Sequence, residues 1–259
     1  MSGEPPFAPS GAPIHADPGA DSLSESLSDR LTLVQARIAA ACRSAGRPAD
    51  AVALLAVSKT FGAERVLALA AHGQRRFGEN YLQEALEKIS GCATQRPDLP
   101  LEWHFIGPIQ SNKTRPIAEH FDWVHSVDRE KIARRLAEQR PAARGPLQVC
   151  LQVNIDAEAS KSGCAPEEVP ALARAIASMP GLRLRGLMTI PQPQTEAARL
   201  REPFARLRAL FDRLREEGLP LDTLSMGMSD DLEAAIEEGS TLVRVGSALF
   251  GRRTAPASL

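Results

Sequence analysis

The sequence predicts an α/β protein built as a single (β/α)8 barrel. Two observations predict it. After a Pro/Gly-rich start, short apolar strand-like segments alternate with helical ones until eight strands are placed. The 259 residues also suit the about 250 that one such barrel takes. A doubly wound open sheet is the competing architecture. It is disfavoured because no Gly-rich GxGxxG turn follows the first strand. No P-loop and no internal repeat is present either.

Met1 to Ser22 is rich in Pro, Gly, Ala and Ser and reads as a disordered tail. It has neither the basic start nor the apolar core of a secretory signal. Residues 23–259 are expected to form one domain. Leu23, Leu27, Leu31, Val34 and Ile38 share one helical face, and Gly46-Arg47-Pro48 ends that helix. The apolar run Val52 to Val57 predicts the first strand, ending in Ser58-Lys59-Thr60, with a helix from near Gly62 to Gly73. A short strand at Arg76-Phe77-Gly78 precedes a helix from Asn80 to Ile89. Leu101 to Gly107 is the third strand, followed by a helix from Ser111 to His120. Trp123 to Val127 is the fourth, with a helix from Asp128 to Gln139.

Leu147 to Asn154 is the clearest strand, and Glu167 to Ser178 the helix after it. Leu182 to Ile190 is the sixth strand. Leu200, Phe204, Leu207, Phe211 and Leu214 then line one helical face, which Pro203 is expected to start or kink. Thr223 to Met226, a helix over Asp230 to Glu238, and Thr241 to Val245 complete the series. Little chain remains for a last helix, so the helix starting at Leu23 is expected to take its place.

Composition excludes several function classes. Net charge is -1 and pI about 6.5, so no global attraction to nucleic acid or anionic membrane exists. Aromatics are 4%, too few for base-stacking platforms. No apolar run reaches the ~18 residues of a membrane span. The four cysteines have no CxxC spacing, which predicts reduced thiols in a cytoplasmic protein. None of the five histidines (His15, His72, His104, His120, His125) has a partner at metal-ligand spacing. All five are expected to be structural or surface residues, and no metal is expected. The charged run Arg199 to Glu217 reads as a solvated helix face. Asp230 and Asp231 open a helix, where acidic residues favour the N-terminus.

Chemistry in a barrel belongs to the C-terminal ends of the strands. Lys59 stands there after an apolar approach, where partial desolvation makes an amine nucleophilic. Across the barrel, Ser225-Met226-Gly227-Met228-Ser229 and Arg244-Val245-Gly246-Ser247 close two adjacent strands. Their N–H and hydroxyl groups suit a phosphate cradle. Spacing alone leaves open whether the glycines only make tight turns. A lysine, a phosphate site and a ring-nitrogen partner such as Arg244 are what pyridoxal phosphate needs.

The chain resembles the pyridoxal phosphate homeostasis protein family, related to the barrel domain of bacterial alanine racemase. The resemblance covers nearly everything after the tail. It rests on Ala56-Val57-Ser58-Lys59-Thr60, Phe77-Gly78-Glu79-Asn80-Tyr81, Trp103 to Gly107 with Gln110-Ser111-Asn112-Lys113, and Val153-Asn154-Ile155. It continues through Lys161-Ser162-Gly163, Gly186-Leu187-Met188-Thr189, Ser225 to Asp231, and Arg244 to Gly251. Ile109 stands where the family pattern usually has leucine, which keeps the volume.

The resemblance implies a cofactor site. Lys59 would form a Schiff base with the aldehyde of pyridoxal 5'-phosphate. Ser229, with the backbone of Gly246 and Ser247, would hold the phosphate. Arg244 would approach the pyridine nitrogen, Asn80 would line the ring pocket, and Ser225 and Met226 would form its wall. The expected function is that of a cofactor carrier, monomeric and with little catalysis of its own, supplying apo-enzymes. The alternative is an amino-acid racemase. That would need a base on each cofactor face, and the resemblance implies a tyrosine from a second domain for one of them. Here the sole tyrosine is Tyr81, within the barrel. A barrel enzyme for another phosphorylated ligand would explain the cradle but not Lys59 and Arg244 together.

Overall fold

Eight parallel strands close on themselves in sequence order, each hydrogen-bonded to the next and the last to the first. The computed structural model describes residues 18–156, 162–192 and 197–251. The disordered tail expected at its start, with His15, lies largely outside these, as does Lys161. The strands are β1 (Ala53–Val57), β2 (Arg76–Glu79), β3 (Glu102–Phe105), β4 (Trp123–Val127), β5 (Leu147–Gln152), β6 (Leu182–Met188), β7 (Thr223–Ser225) and β8 (Leu242–Val245). The helices between them are α2 (Ala63–Ala71), α3 (Leu82–Gln95), α4 (Thr114–His120), α5 (Glu130–Gln139), α6 (Val169–Ala177), α7 (Ala197–Glu216) and α8 (Leu232–Glu237). α1 (Pro18–Ser44) precedes the barrel, and α9 (Ser247–Phe250) is a single turn after β8.

α1 packs against α2, α8 and α9 and so closes the gap that a full eighth outer helix would fill. Its buried Leu27, Leu31, Val34 and Ile38 are the expected apolar face. Two boundaries differ from expectation. α1 begins at Pro18, ahead of Leu23. α3 runs on to Gln95, past Ser90-Gly91, with Cys92 of that stretch buried in the core. Packing there outweighs glycine's weak helix preference. Pro203 lies inside α7, which leaves the kink and not the start of the two expected roles.

Period-two alternation sorts each strand into an outward set and a barrel-filling set. Outward residues join the helices in one core that holds Phe77, Phe121 and Phe204. Inside the barrel, Leu55, Val57, Ile106 and Leu242 make one apolar cluster, and Trp123, Cys150 and Met188 another. His104, His125 and Arg244 are buried with them.

All four cysteines are free and buried. Burial pushes the Cys150 and Cys164 thiols up to about 12 and Cys92 to about 11. Thiolates are the reactive form. Native protein should therefore leave its thiols unmodified by an aromatic disulfide reagent at about pH 8, and unfolded protein should show all four. A thiol that reacts rapidly in the native state would contradict this packing.

No described helix is long and apolar enough to cross a membrane. Among the described residues, no cluster of His, Cys, Asp and Glu could hold a metal ion.

Candidate functional site

At the C-terminal mouth of the barrel a cavity of about 510 Å³ opens. Lys59, Asn80, Ser229, Arg244, Gly246 and Ser247 all line it. Val57, Phe61 and Ile106 give it an apolar wall. Six positions scattered between residues 59 and 247 thus meet, because the barrel brings the strand ends to one rim.

Lys59 follows β1 in a turn closed by the Phe61 N–H donating to Ser58 O (3.1 Å). It is half-buried at the cavity wall. Thr60 beside it has φ 70°, the only positive value among the described non-glycine residues. Asn80 follows β2, and its Oδ1 is buried without a hydrogen-bond partner. A Cβ on Gly107 would stand 2.2 Å from Asn80 O, so only glycine lets the ends of β2 and β3 approach this closely.

The Ser229 side of the cavity is built from three elements. The Ser247 hydroxyl lies 3.1 Å from the Ser229 hydroxyl. Gly227 has φ 96°, and a Cβ there would sit 2.7 Å from Ala235 Cβ. It makes the tight turn after β7 and does not line the cavity. Asp231, at the start of α8, turns its carboxylate back to accept the Met228 N–H (2.5 Å). Arg37 of α1 donates to Ser229 O (3.2 Å) and pairs with Glu233. The helix that completes the barrel wall therefore also fixes this turn.

Arg244 reaches the cavity from inside β8 and is held from behind. It donates to Ser225 O (2.6 Å), Ser225 Oγ (2.8 Å) and Thr189 O (2.8 Å). A guanidinium carries five N–H donors, so this anchoring leaves donors for the cavity. Burial lowers its pKa to about 10, which still leaves it charged at neutral pH. Because Ser225 Oγ accepts from Arg244, its own proton goes to His125 Nδ1 (2.8 Å). His125 Nε2 then donates to His104 Nδ1 (2.9 Å), and His104 Nε2 to Glu102 (2.8 Å). This assignment uses one proton per ring. Burial lowers both imidazoles, so both are neutral. A single hydrogen-bonded chain thus crosses the barrel from its mouth to its floor.

Two expected wall residues stand elsewhere. Ser225 is fully buried behind Arg244, and Met226 points outward into the helix-packed core. Alternation along the chain after β7 puts one below the cavity floor and the other outside the barrel.

Residues 31–254 match the family described as "Alanine racemase, N-terminal domain". The chain is 63% identical over 234 residues to the pyridoxal phosphate homeostasis protein of Pseudomonas aeruginosa, covering 90% of this chain and 99% of that one. The chain belongs to the pyridoxal phosphate homeostasis protein family. Solved structures agree. A protein of Bifidobacterium adolescentis superposes with a TM-score of 0.83 at 36% identity, covering 89% of this chain and 96% of that one. PipY of Synechococcus elongatus, solved with PLP bound, gives 0.74 at 36% identity, covering 87% and 100%.

Within this member of the pyridoxal phosphate homeostasis family, sequence reasoning missed the residues that stand behind the cavity. His104 and His125 were expected to be merely structural or surface residues, yet they reach Arg244 through Ser225. Glu79, Glu84 and Lys88 gather beneath Lys59, with Lys88 Nζ 2.6 Å from Glu79 and 3.0 Å from Glu84. The available signal was Lys88 itself, a lysine on the stripe of α3 that otherwise buries Ala85 and Cys92. Such a lysine requires a carboxylate partner.

Proposed function

We propose that this chain binds pyridoxal 5'-phosphate at Lys59 and serves its homeostasis as a carrier, with little or no catalysis of its own. One observation carries the proposal. The half-buried Lys59, the Ser229/Gly246/Ser247 hydroxyl and backbone cluster, and the anchored Arg244 share one cavity with an apolar wall. That donor set fits a phosphorylated aromatic aldehyde, and the partnerless Asn80 Oδ1 marks a wall built for a polar ligand. The names of the relatives and the PLP-bound PipY support it.

When bound, the cofactor supplies an aldehyde and an electron-accepting ring. Lys59 Nζ would hold the cofactor covalently through that aldehyde, by condensation with loss of water. Ser229, with the backbone of Gly246 and Ser247, would hold the phosphate. Arg244 would donate to the pyridine nitrogen and keep its proton, since even at about 10 its pKa lies far above that of the ring. An unprotonated ring is a poorer electron sink, so carbanion chemistry is disfavoured. Tyr81 is 51% exposed and does not line the cavity, which leaves a racemase without its second-face tyrosine.

Residues 23–259 act as one cofactor-binding domain, in the cytoplasm, and hand the cofactor to apo-enzymes. The described large apolar residues that are exposed, Leu33, Tyr81 and Ile190, lie on α1 and in two different loops, which supports a monomer.

Two assays on the purified, cofactor-loaded protein test this. It should reactivate an apo-aminotransferase, and should racemise amino acids far below the typical enzyme turnover of about 10 s⁻¹. Lacking a positioned base on one face removes roughly 10²–10⁴-fold. Turnover near the typical value would reject the carrier and promote the racemase. A dimeric sedimentation coefficient would remove the monomer.

A further inference from the structure

Around Lys59 the backbone is held by side chains from two other elements. The Ser58 carbonyl, just before Lys59, accepts Lys88 Nζ (2.7 Å) as well as the Phe61 N–H. The Thr60 N–H, just after Lys59, donates to Glu84 Oε1 (2.6 Å). The Ser58 hydroxyl donates to Glu79 Oε1 (2.6 Å), which also accepts Lys88 Nζ (2.6 Å). Lys88 completes its three bonds on Glu84 Oε1 (3.0 Å). An ammonium has three donors, and all three are used. Both peptide groups flanking Lys59 are therefore tied to one buried cation and its carboxylates.

The turn these ties hold is unfavourable by itself. A left-handed residue two places after the first residue of a turn is a position that glycine usually fills. Here Thr60, a β-branched residue, takes φ 70°. Such a conformation persists only where the surroundings over-determine it, and it clusters at functional sites. Stability does not account for the buried charges. Lys88 is 3% exposed and Glu79 is fully buried, yet Glu79 Oε2 has no hydrogen-bond partner. Burial raises the Glu79 carboxyl, against the opposing pull of Lys88 and Ser58. A buried ion pair of this kind is commonly no more stable than apolar packing.

We propose that Lys88, with Glu79 and Glu84, is the positioning device for Lys59: the ion cluster clamps Ser58 and Thr60 so that the turn aims the Lys59 amine into the cavity. This rests on the reading that Lys59 carries the cofactor. The clamp is built from the end of β2 and from α3, and none of its bonds goes to the Ser229 turn. It therefore governs the covalent step and not the phosphate-held encounter.

Two probes separate those steps. Pyridoxal 5'-phosphate reports formation of the visible band, and pyridoxine 5'-phosphate, which has no aldehyde, reports encounter alone. Lys88→Met should form the band roughly ten- to a hundredfold more slowly, the scale of a misplaced reacting group. Its affinity for pyridoxine 5'-phosphate should stay within about twofold of wild type. Adding Thr60→Gly to Lys88→Met should recover part of the rate, because glycine adopts the left-handed turn without the clamp. A wild-type rate in Lys88→Met overturns the clamp. If Lys88→Met does not fold, Glu84→Ala carries the same test, since it removes only the partly exposed acceptor of the Thr60 N–H. An unchanged rate there overturns the proposal equally. Wild-type protein whose cofactor is fixed on a different lysine would instead sink the parent reading, whatever the variants do.

Discussion

Lys59→Ala is expected to abolish the visible absorbance band of the cofactor-loaded protein while leaving the fold intact. Among the described residues, Lys59 is the lysine that lines the cavity. Lys88 is buried with its three donors committed, and Lys113 and Lys131 are exposed outside the cavity. Replacing Lys59 removes no apolar core and breaks no strand pairing, because β1 ends at Val57. Stability should stay within the ±0.5 kcal/mol or so typical of substitutions outside the core. Cofactor affinity should fall as well, since the covalent bond is lost. What remains is the phosphate-held encounter. Retention of the band in Lys59→Ala would show that another amine does the chemistry.

Removing the phosphate should be nearly as damaging. Pyridoxal, which keeps the aldehyde and ring, loses every contact to Ser229, Gly246 and Ser247. Each hydrogen bond to a charged group contributes about 1.5–3 kcal/mol, and about 1.4 kcal/mol is tenfold. Two such bonds already imply a loss of roughly a hundredfold or more. Ser229→Ala, which removes one hydroxyl 3.1 Å from that of Ser247, should cost roughly ten- to a hundredfold for the phosphorylated ligand. It should cost nothing for pyridoxal. Calorimetry with both ligands on both proteins forms a closed cycle. Equal affinity for pyridoxal and its phosphate would eliminate the cradle.

The barrel and the rim of the site were legible because both are periodic. Alternating strands and helices fix the architecture, and the architecture then sends every strand end to one mouth. Strand ends put Lys59, Asn80, Ser229, Arg244, Gly246 and Ser247 at that mouth, and the family resemblance singles them out from the other polar residues there. Ser225 and Met226, expected in the wall from the resemblance, do not line the cavity. The two-residue period puts Ser225 behind Arg244 and Met226 in the outer core. What lies behind the rim was not legible, because it is made of pairings between distant segments. His104 and His125 lie on β3 and β4, where only the barrel register brings them together. Lys88 reaches Ser58 across thirty residues. A search for metal-ligand spacing could not find either. A charged residue on a buried stripe, asking where its partner is, would have found Lys88.

The fold also explains a division of labour at the mouth. α1 fills the missing outer position and sends Arg37 to the Ser229 turn, while α3 sends Lys88 to the Lys59 turn. The two ends of the cavity are thus fixed by two different outer helices, which flank α2. Arg244 is fixed from within the barrel.

The most direct measurement is borohydride reduction of the loaded protein, followed by proteolysis and mass analysis of the cofactor-bearing peptide. Reduction converts the C=N bond into a stable secondary amine on the lysine that formed it. The peptide spanning Val57 to Thr60 should carry the added mass on Lys59. Added mass on Lys113, Lys131 or Lys161, or none on any lysine, would contradict the account.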